Sequence, residues 1–171
     1  LIMCGLFFTI NNKNSNNISD SNFKNCVNFL SHRGPDDDGF FKVNHKNHSL
    51  KFGFKRLSIQ DLSENGDQPI ISKSGKFIMA FNGEIYNHLI IKKKINTLHH
   101  DFKWKGTSDS ETLIESFDLF GVQETLNDVS GMFSIFLFDT FSKEFYLIND
   151  IFGEKPLYIF LGTNHFRKTN K

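Results

Sequence analysis

The chain has 171 residues, of which 39% are hydrophobic and 23% charged, with 20 Lys and Arg against 19 Asp and Glu. This is enough for one globular domain with a hydrophobic core, and a net charge of +1 without a basic stripe argues against a nucleic-acid or anionic-membrane surface. No stretch approaches the roughly 20 apolar residues of a membrane span, and two widely separated cysteines indicate a reducing, cytoplasmic location.

The first part of the chain predicts a strand followed by a helix. Residues 5–10 are apolar and predict a buried strand, and the polar residues 11–17 predict a surface loop. Ser19 or Asp20 can then cap a helix. Its apolar residues recur at helical spacing and are Phe23, Cys26, Val27 and Leu30, so Cys26 is predicted to lie in the core.

The rest of the chain predicts further strands and two helices. The predicted strands are residues 39–43, 50–54, 77–81, 132–138, 145–148 and 157–161, and the polar tail, residues 164–171, is predicted to be loose. One helix is predicted over residues 88–95. Another is predicted to start at Ser108, where a capping box ends at Glu111, and to stop at Gly121. Strands grouped without regular βαβ alternation predict an α+β fold.

Cys4-Gly5, at the start of the first strand, is the first candidate for chemistry. A Cys at a mature amino terminus has its own α-amine as a neighbouring base, with an ordinary pKa of about 7.7–8.0. Such an amine activates a thiol near neutral pH without a His partner. The alternative is that Cys4 is a small apolar residue at the start of a core strand, and the motif alone leaves both interpretations open.

Asn82-Gly83, after a predicted strand, is the second candidate. A carboxamide NH₂ beside a glycine N–H offers two donors for a developing oxyanion, and glycine lets the backbone bend so that its N–H reaches the substrate. The alternative is an ordinary Asn-Gly turn.

Arg56 and Asp109 are candidates for holding the charged ends of an amino acid. Arg pairs with a carboxylate through two parallel hydrogen bonds, and Asp accepts from an ammonium group. The alternatives are a solvated Arg at a strand end and an Asp that complements a helix dipole. No metal site is predicted, because His99-His100 lacks further ligands at suitable spacing and residues 36–39 lack the alternating ligands of a calcium loop.

Six motifs occur in one order along the chain: Met3-Cys4-Gly5, His32-Arg33-Gly34-Pro35-Asp36, Arg56-Leu57-Ser58-Ile59, Asn82-Gly83-Glu84-Ile85-Tyr86-Asn87, Ser108-Asp109-Ser110-Glu111 and Asp150-Ile-Phe-Gly-Glu-Lys-Pro-Leu-Tyr158. In order and separation they resemble the class II, or N-terminal nucleophile, glutamine amidotransferases from residue 3 to about residue 160. The third, fourth and sixth motifs favour the asparagine synthetase branch. Amidophosphoribosyltransferases and glucosamine-6-phosphate synthases share the Cys and Asn-Gly elements.

The resemblance implies an α+β fold and a role for each matching residue. The expected fold is a four-layer αββα sandwich of two mainly antiparallel sheets, as in N-terminal nucleophile hydrolases, in a domain covering residues 3–171. Cys4 is the implied nucleophile, its α-amine the base, and Asn82 with Gly83 the oxyanion hole. The implied glutamine-binding residues are these two together with Arg56 for the α-carboxylate, Asp109 and Glu84 for the α-ammonium group, and the backbone at Leu57 and Ile59.

The activity implied by the resemblance is hydrolysis of glutamine to glutamate and ammonia through a cysteinyl thioester. The domain itself is expected to need no cofactor. Ammonia is expected to pass to a synthetase domain that uses ATP and Mg to convert aspartate to asparagine, and these 171 residues contain no phosphate-binding Gly-rich loop for such a domain. A homodimer is a further expectation. The alternatives are another class II amidotransferase and a truncated, inactive remnant.

Two positions depart from the pattern of the resemblance. Leu1-Ile2 precede Met3, so Cys4 is not the first residue of the chain as written. The hypothesis is that translation starts at Met3 and that Met3 is then removed, which exposes the α-amine of Cys4. Ile151 stands where relatives often carry Arg, and we have no physical account of that difference.

Overall fold

In the computed structural model, residues 4–12, 18–46, 48–57, 67–161 and 165–168 are described, and they form nine strands and four helices. The strands are β1 (Gly5–Asn12), β2 (Asp37–His45), β3 (His48–Arg56), β4 (Ile70–Ile71), β5 (Phe77–Ile85), β6 (Gly131–Asp139), β7 (Phe145–Asn149), β8 (Tyr158–Leu161) and β9 (His165–Lys168). The helices are α1 (Asp20–Asn28), α2 (His88–Leu98), α3 (Asp109–Phe120) and α4 (Val122–Asp128).

The strands form two main antiparallel sheets and one small one. The first sheet has the order β1-β3-β2, and the second has the order β4-β5-β6-β7. Strands β8 and β9 pair separately. The register joins Gly5 to Lys55 in the first sheet and Asn82 to Ser134 in the second.

Between the two main sheets lies a core rich in phenylalanine. The Phe136 ring lies 4.0 Å from that of Phe52, edge to face, and 4.8 Å from that of Phe8. These rings join strands from both sheets, and Leu50, Ile78 and other apolar residues complete the cluster. Many side chains of the predicted strands are therefore buried because one sheet covers the other.

Helices cover the outer faces of both sheets. Phe23 and Val27 of α1 are buried on the first sheet, where a Cβ at Gly53 would overlap Val27. Ile114 and Phe117 of α3 pack with Phe77 on the second sheet. The layers are thus helix, sheet, sheet and helix, and the predicted α+β sandwich is confirmed.

The helix ends show how local sequence sets the element boundaries. The Ser19 hydroxyl accepts a hydrogen bond from the N–H of Asn22 at 3.1 Å and caps α1. The Ser108 hydroxyl accepts from the N–H of Glu111 at 3.2 Å and caps α3. The Glu111 carboxylate accepts from the backbone N–H groups of Lys105 and Gly106, so it anchors the preceding loop.

Several elements differ from the prediction. β1 continues through residues 11–12, predicted as loop, because both residues pair with β3. Residues 165–168, predicted to be loose, form β9 against β8. Helix α4 was not predicted from its short sequence. Cys26, predicted in the core, is only half-buried.

Glu115 of α3 is a buried carboxyl that should make stability depend on pH. The residue is 3% exposed, and its Oε1 accepts from the N–H of Lys73 at 3.0 Å. The pKa of Glu115 is raised from 4.5 to about 7, chiefly by burial, with the carboxylates of Asp118 and Glu111 adding to the increase and Lys73 opposing it. The folded chain therefore binds a proton that the unfolded chain has already released between these two values.

The stability contributed by protonated Glu115 is present in full below pH 4.5 and is lost as the pH rises through about 7. We expect Glu115→Gln to remove about 3 kcal/mol of the pH dependence of the free energy of unfolding between pH 4 and 8. Urea unfolding at both pH values measures this effect. Glu124→Gln, at an exposed position on α4, is the control. If Glu115→Gln left the difference in the free energy of unfolding between the two pH values unchanged, the prediction would be wrong.

Candidate functional site

The alternation of side chains along three strands directs the candidate residues to one space between the sheets. Leu6, Phe8 and Ile10 face the other sheet from β1, and Cys4 continues the same alternation just before the strand. Leu50 and Phe52 face inward from β3, and Arg56 has the same parity. Ile78 and Ala80 face inward from β5, as does Asn82 by the same rule. Strand periodicity therefore places three candidate residues on facing surfaces.

The Asn82-Gly83 pair lies inside a strand and not in a turn. Asn82 pairs with Ser134 and Gly83 with Phe133 in the β5–β6 ladder, and Asn82 is 8% exposed. A Cβ at Gly83 would overlap the carbonyl oxygen of Met132. Close approach of two strands therefore requires glycine here, which corrects the expectation that it serves to bend the chain.

Cys4 is bound to the end of β3. Its Sγ accepts from the N–H of Leu57 at 3.3 Å and lies 3.6 Å from the carbonyl oxygen of Leu57, to which its S–H donates. The Leu57 backbone, implied to help position glutamine, thus contacts the thiol. These contacts hold Sγ beside Arg56, the residue before Leu57 in the chain.

The electrostatic surroundings keep the Cys4 thiol protonated at neutral pH. Burial raises the pKa of Cys4, and this effect exceeds the lowering by the Leu57 N–H and by the positive charges of Arg56 and Arg33. A thiol with a raised pKa is a poor nucleophile unless a base removes its proton. The site therefore requires a base close to Sγ.

Arg33 contacts Cys4, although the sequence predicted no role for this residue. Its Nε donates to the carbonyl oxygen of Cys4 at 3.2 Å. A Cβ at Gly34 would overlap the backbone of Lys55, and the N–H of Asp36 donates to the carbonyl oxygen of Arg56 at 3.0 Å. The second motif is therefore a loop packed against the end of β3, and its arginine orients the Cys4 backbone.

Arg56 is buried and paired with an acid. Its residue exposure is 7%, and Nη1 lies 2.5 Å from Oδ1 of Asp67. The Asp67 side chain is 41% exposed, and Asp37 lies close enough to affect its pKa. The sequence predicted that Arg56 binds a carboxylate, but it did not predict the ion pair with Asp67.

Asp109, the first residue of α3, lies at the end of β5, the strand that carries Asn82. Its Oδ2 accepts from the N–H of Ile85 at 2.9 Å, and the residue is 6% exposed. Burial raises the pKa of Asp109, against the lowering by this N–H and by His88, and Glu84 raises it further. Glu84 is exposed, so one buried and one exposed carboxylate lie near each other here.

Two adjacent residues, Asp67 and Gln68, connect the two parts of the site. Asp67 pairs with Arg56 on the first sheet, and the N–H of Phe81 donates to Oε1 of Gln68 at 2.5 Å on the second. Phe81 immediately precedes Asn82. One short segment therefore contacts both the Arg56 end of the first sheet and the strand that carries Asn82 on the second.

The sixth motif forms a loop around one carboxylate. Asp150 accepts from the backbone N–H groups of Phe133, Phe152, Glu154 and Lys155. Burial raises the pKa of Asp150, but these four donors outweigh burial and lower it overall. Ile151 is 93% exposed, so its difference from relatives falls on the surface.

The structure leaves part of the predicted site undescribed and also bears on metal and membrane binding. Ile59 lies outside the described residues, as do the first three residues of the chain. Within the described ranges, no group of three or more His, Cys, Asp or Glu side chains is arranged to hold a metal ion. None of the four described helices has both the length and the apolar character needed to cross a bilayer.

Comparison with known proteins adds an independent observation. Residues 3–168 match the family described as "Glutamine amidotransferase domain". The chain is 35% identical over 158 residues to "Asparagine synthetase [glutamine-hydrolyzing] 2" of Bacillus subtilis, covering 91% of this chain and 20% of that protein.

Two further relatives come from distant organisms. "Putative asparagine synthetase [glutamine-hydrolyzing] 2" of Methanocaldococcus jannaschii is 33% identical over 151 residues, covering 80% of this chain and 28% of that protein. "Asparagine synthetase [glutamine-hydrolyzing]" of Bos taurus is 35% identical over 130 residues, covering 75% of this chain and 22% of that protein. The chain therefore spans only between a fifth and just over a quarter of the length of these curated relatives.

Proposed function

The chain belongs to the glutamine amidotransferase domain family, and from this premise we propose that it hydrolyses glutamine to glutamate and ammonia through a thioester on Cys4. The family predicted from the six motifs is confirmed. The proposal is supported most by strand alternation, which directs Cys4, Arg56 and Asn82 to facing surfaces of the two sheets, and by Asp67-Gln68, which contacts both Arg56 and the strand that carries Asn82.

In the proposed reaction, the α-amine of Cys4 takes the proton from Sγ. The pKa of the thiol is raised, so this base is needed for attack near neutral pH. The thiolate attacks the side-chain amide carbon of glutamine, and the resulting oxyanion is stabilised by the Asn82 carboxamide and the Gly83 N–H. The α-ammonium group of Cys4 then returns its proton to the leaving nitrogen, and ammonia departs.

Water then attacks the thioester and releases glutamate, which restores the thiol and completes the cycle. We assign the α-carboxylate of glutamine to Arg56 and its α-ammonium group to Asp109, with Glu84 beside it. The backbone at Leu57 and Ile59 completes the proposed substrate contacts. The charges of these side chains match the two ends of an amino acid, which distinguishes glutamine from a simple amide.

The wider role that we propose is supply of ammonia for asparagine synthesis. The relatives named above are asparagine synthetases, and their greater length leaves room for a synthetase domain. ATP and Mg would act in that domain, and this domain would need no cofactor of its own. We place the reaction in the cytoplasm, and self-association into a homodimer stays a prediction.

The experiment that tests the proposal is glutamine hydrolysis by protein whose amino terminus is verified as Cys4 by intact mass. We expect equal release of glutamate and ammonia. Absence of hydrolysis in folded protein with this terminus would overturn the proposal and favour an inactive remnant. Addition of aspartate, ATP, Mg and a synthetase domain then tests the acceptor, and failure of that step alone would favour another amidotransferase branch.

A further inference from the structure

Arg56, like Lys51 in its pair with Asp20, is a buried cation that pairs with a partly exposed acid, and in this it differs from the ion pair of Lys94 and Asp128. The Arg56 side chain is only 9% exposed, and its Nη1 lies 2.5 Å from Asp67. The pair of Lys94 and Asp128 has the same 2.5 Å distance, but its side chains are 46% and 41% exposed. A buried guanidinium without a close carboxylate carries a large desolvation cost, so Asp67 stabilises Arg56 in its position.

Asp67 is held in place by its neighbour Gln68. The carbonyl oxygen of Gln68 lies where a Cβ of residue 39 would be, so Gly39 lets the segment pack directly on β2. The side chain of Gln68 accepts from the N–H of Phe81 on β5. The segment is therefore bound to both sheets, which keeps the backbone of Asp67 close to Arg56.

Two carboxylates near Arg56 favour a fixed orientation of its guanidinium. Asp37 lies opposite Arg56 in the β2–β3 register, and Asp67 lies beside Asp37. Burial and this neighbouring carboxylate raise the pKa of Asp67, whereas Arg56 lowers it. A guanidinium binds a carboxylate best when its planar fork is already oriented, because less conformational entropy is then lost on binding.

We propose that Asp67 is a positioning residue for the glutamine α-carboxylate, because its contact with Nη1 orients the Arg56 fork toward the space between the sheets. This inference rests on the proposed function. Asp67 acts through Arg56 and does not touch glutamine. Gln68 links this orientation to the strand that carries Asn82, so the carboxylate site and the proposed oxyanion site share one support.

The test is Asp67→Asn in protein with a verified Cys4 terminus, assayed with glutamine and with glutamine α-amide, which lacks the α-carboxylate. Loss of one charge-assisted hydrogen bond is expected to raise KM for glutamine about tenfold, with kcat nearly unchanged. The kcat/KM for the α-amide should not change. Asp67→Glu should restore part of the affinity, and Asp128→Asn is the control, matched in ion-pair distance and Asp exposure.

Binding measured by calorimetry separates this inference from the proposed reaction. In Cys4→Ala protein, adding Asp67→Asn should raise the Kd of glutamine about tenfold even if hydrolysis is never observed. Three results would overturn the positioning role: an unchanged Kd, an equal loss with both substrates, or tighter binding, which would mean that Asp67 competes with glutamine for Arg56. Absence of hydrolysis together with the expected change in Kd would refute only the proposed reaction.

Discussion

Replacing Cys4 with Ala is expected to reduce glutamine hydrolysis to the background rate. Sγ is the atom that forms the thioester in the proposed mechanism, so the variant lacks the group that attacks glutamine. Removal of an enzyme nucleophile costs on the order of 10⁶ in kcat in serine proteases. The measurements are glutamate release and, by mass spectrometry, the glutamyl adduct on the protein.

The other cysteine provides the control for this experiment. Cys26 is half-buried on α1, away from the contacts of Cys4, so Cys26→Ser should retain activity and form the adduct. Protein that retains residues 1–3 should be as inactive as Cys4→Ala, because its Cys4 has no α-amine. An adduct on Cys26, or full activity with residues 1–3 present, would refute the assigned nucleophile or the assigned base.

Replacing Asn82 with Ala should lower kcat by about 10²–10³, as expected for loss of one oxyanion donor. KM should change little, because the carboxamide interacts mainly with charge that develops in the transition state. Asn82→Asp should be at least as damaging, since a carboxylate removes the donor and repels the oxyanion. Steady-state kinetics on folded protein measure both effects.

The exposed Asn127 of α4 is the control for Asn82. Asn127→Ala should leave kcat and KM unchanged, because the residue lies on the far helix and its side chain accepts only from Gln123 among the described residues. Full glutaminase activity of Asn82→Ala would remove the carboxamide from the mechanism. If Asn82→Ala lost activity only because less of the protein was folded, the residue would have a structural role inside β5.

The residue pattern was sufficient for the α+β class and the candidate list, and the resemblance of the motifs to a known family implied the layer order. Short apolar runs predicted β1, β3 and β5 as strands, and apolar residues at helical spacing predicted the buried side of α1. Strand alternation carries Cys4, Arg56 and Asn82 onto the inner faces. Six ordered motifs predicted the family, which the match over residues 3–168 confirms. Local periodicity and motif order are both properties of the chain before it folds.

The conformation of Asn82-Gly83 depended on tertiary structure. The dipeptide is a common turn sequence, but pairing of Gly83 with Phe133, far along the chain, keeps it extended within β5. Glycine is needed there because β6 passes too close for a Cβ. Nothing local in the sequence distinguishes these two outcomes, since the deciding contact comes from another strand.

The partners of the candidate residues were likewise decided only by folding. Asp67 reaches Arg56, Arg33 reaches the Cys4 carbonyl, and the Cys4 thiol reaches the Leu57 backbone. The three contacts join residues that are 11, 29 and 53 positions apart, so their presence follows from how strands and loops pack. Residue type and order thus determined which groups are available for chemistry, and packing determined which of them are buried, charged and oriented beside Cys4.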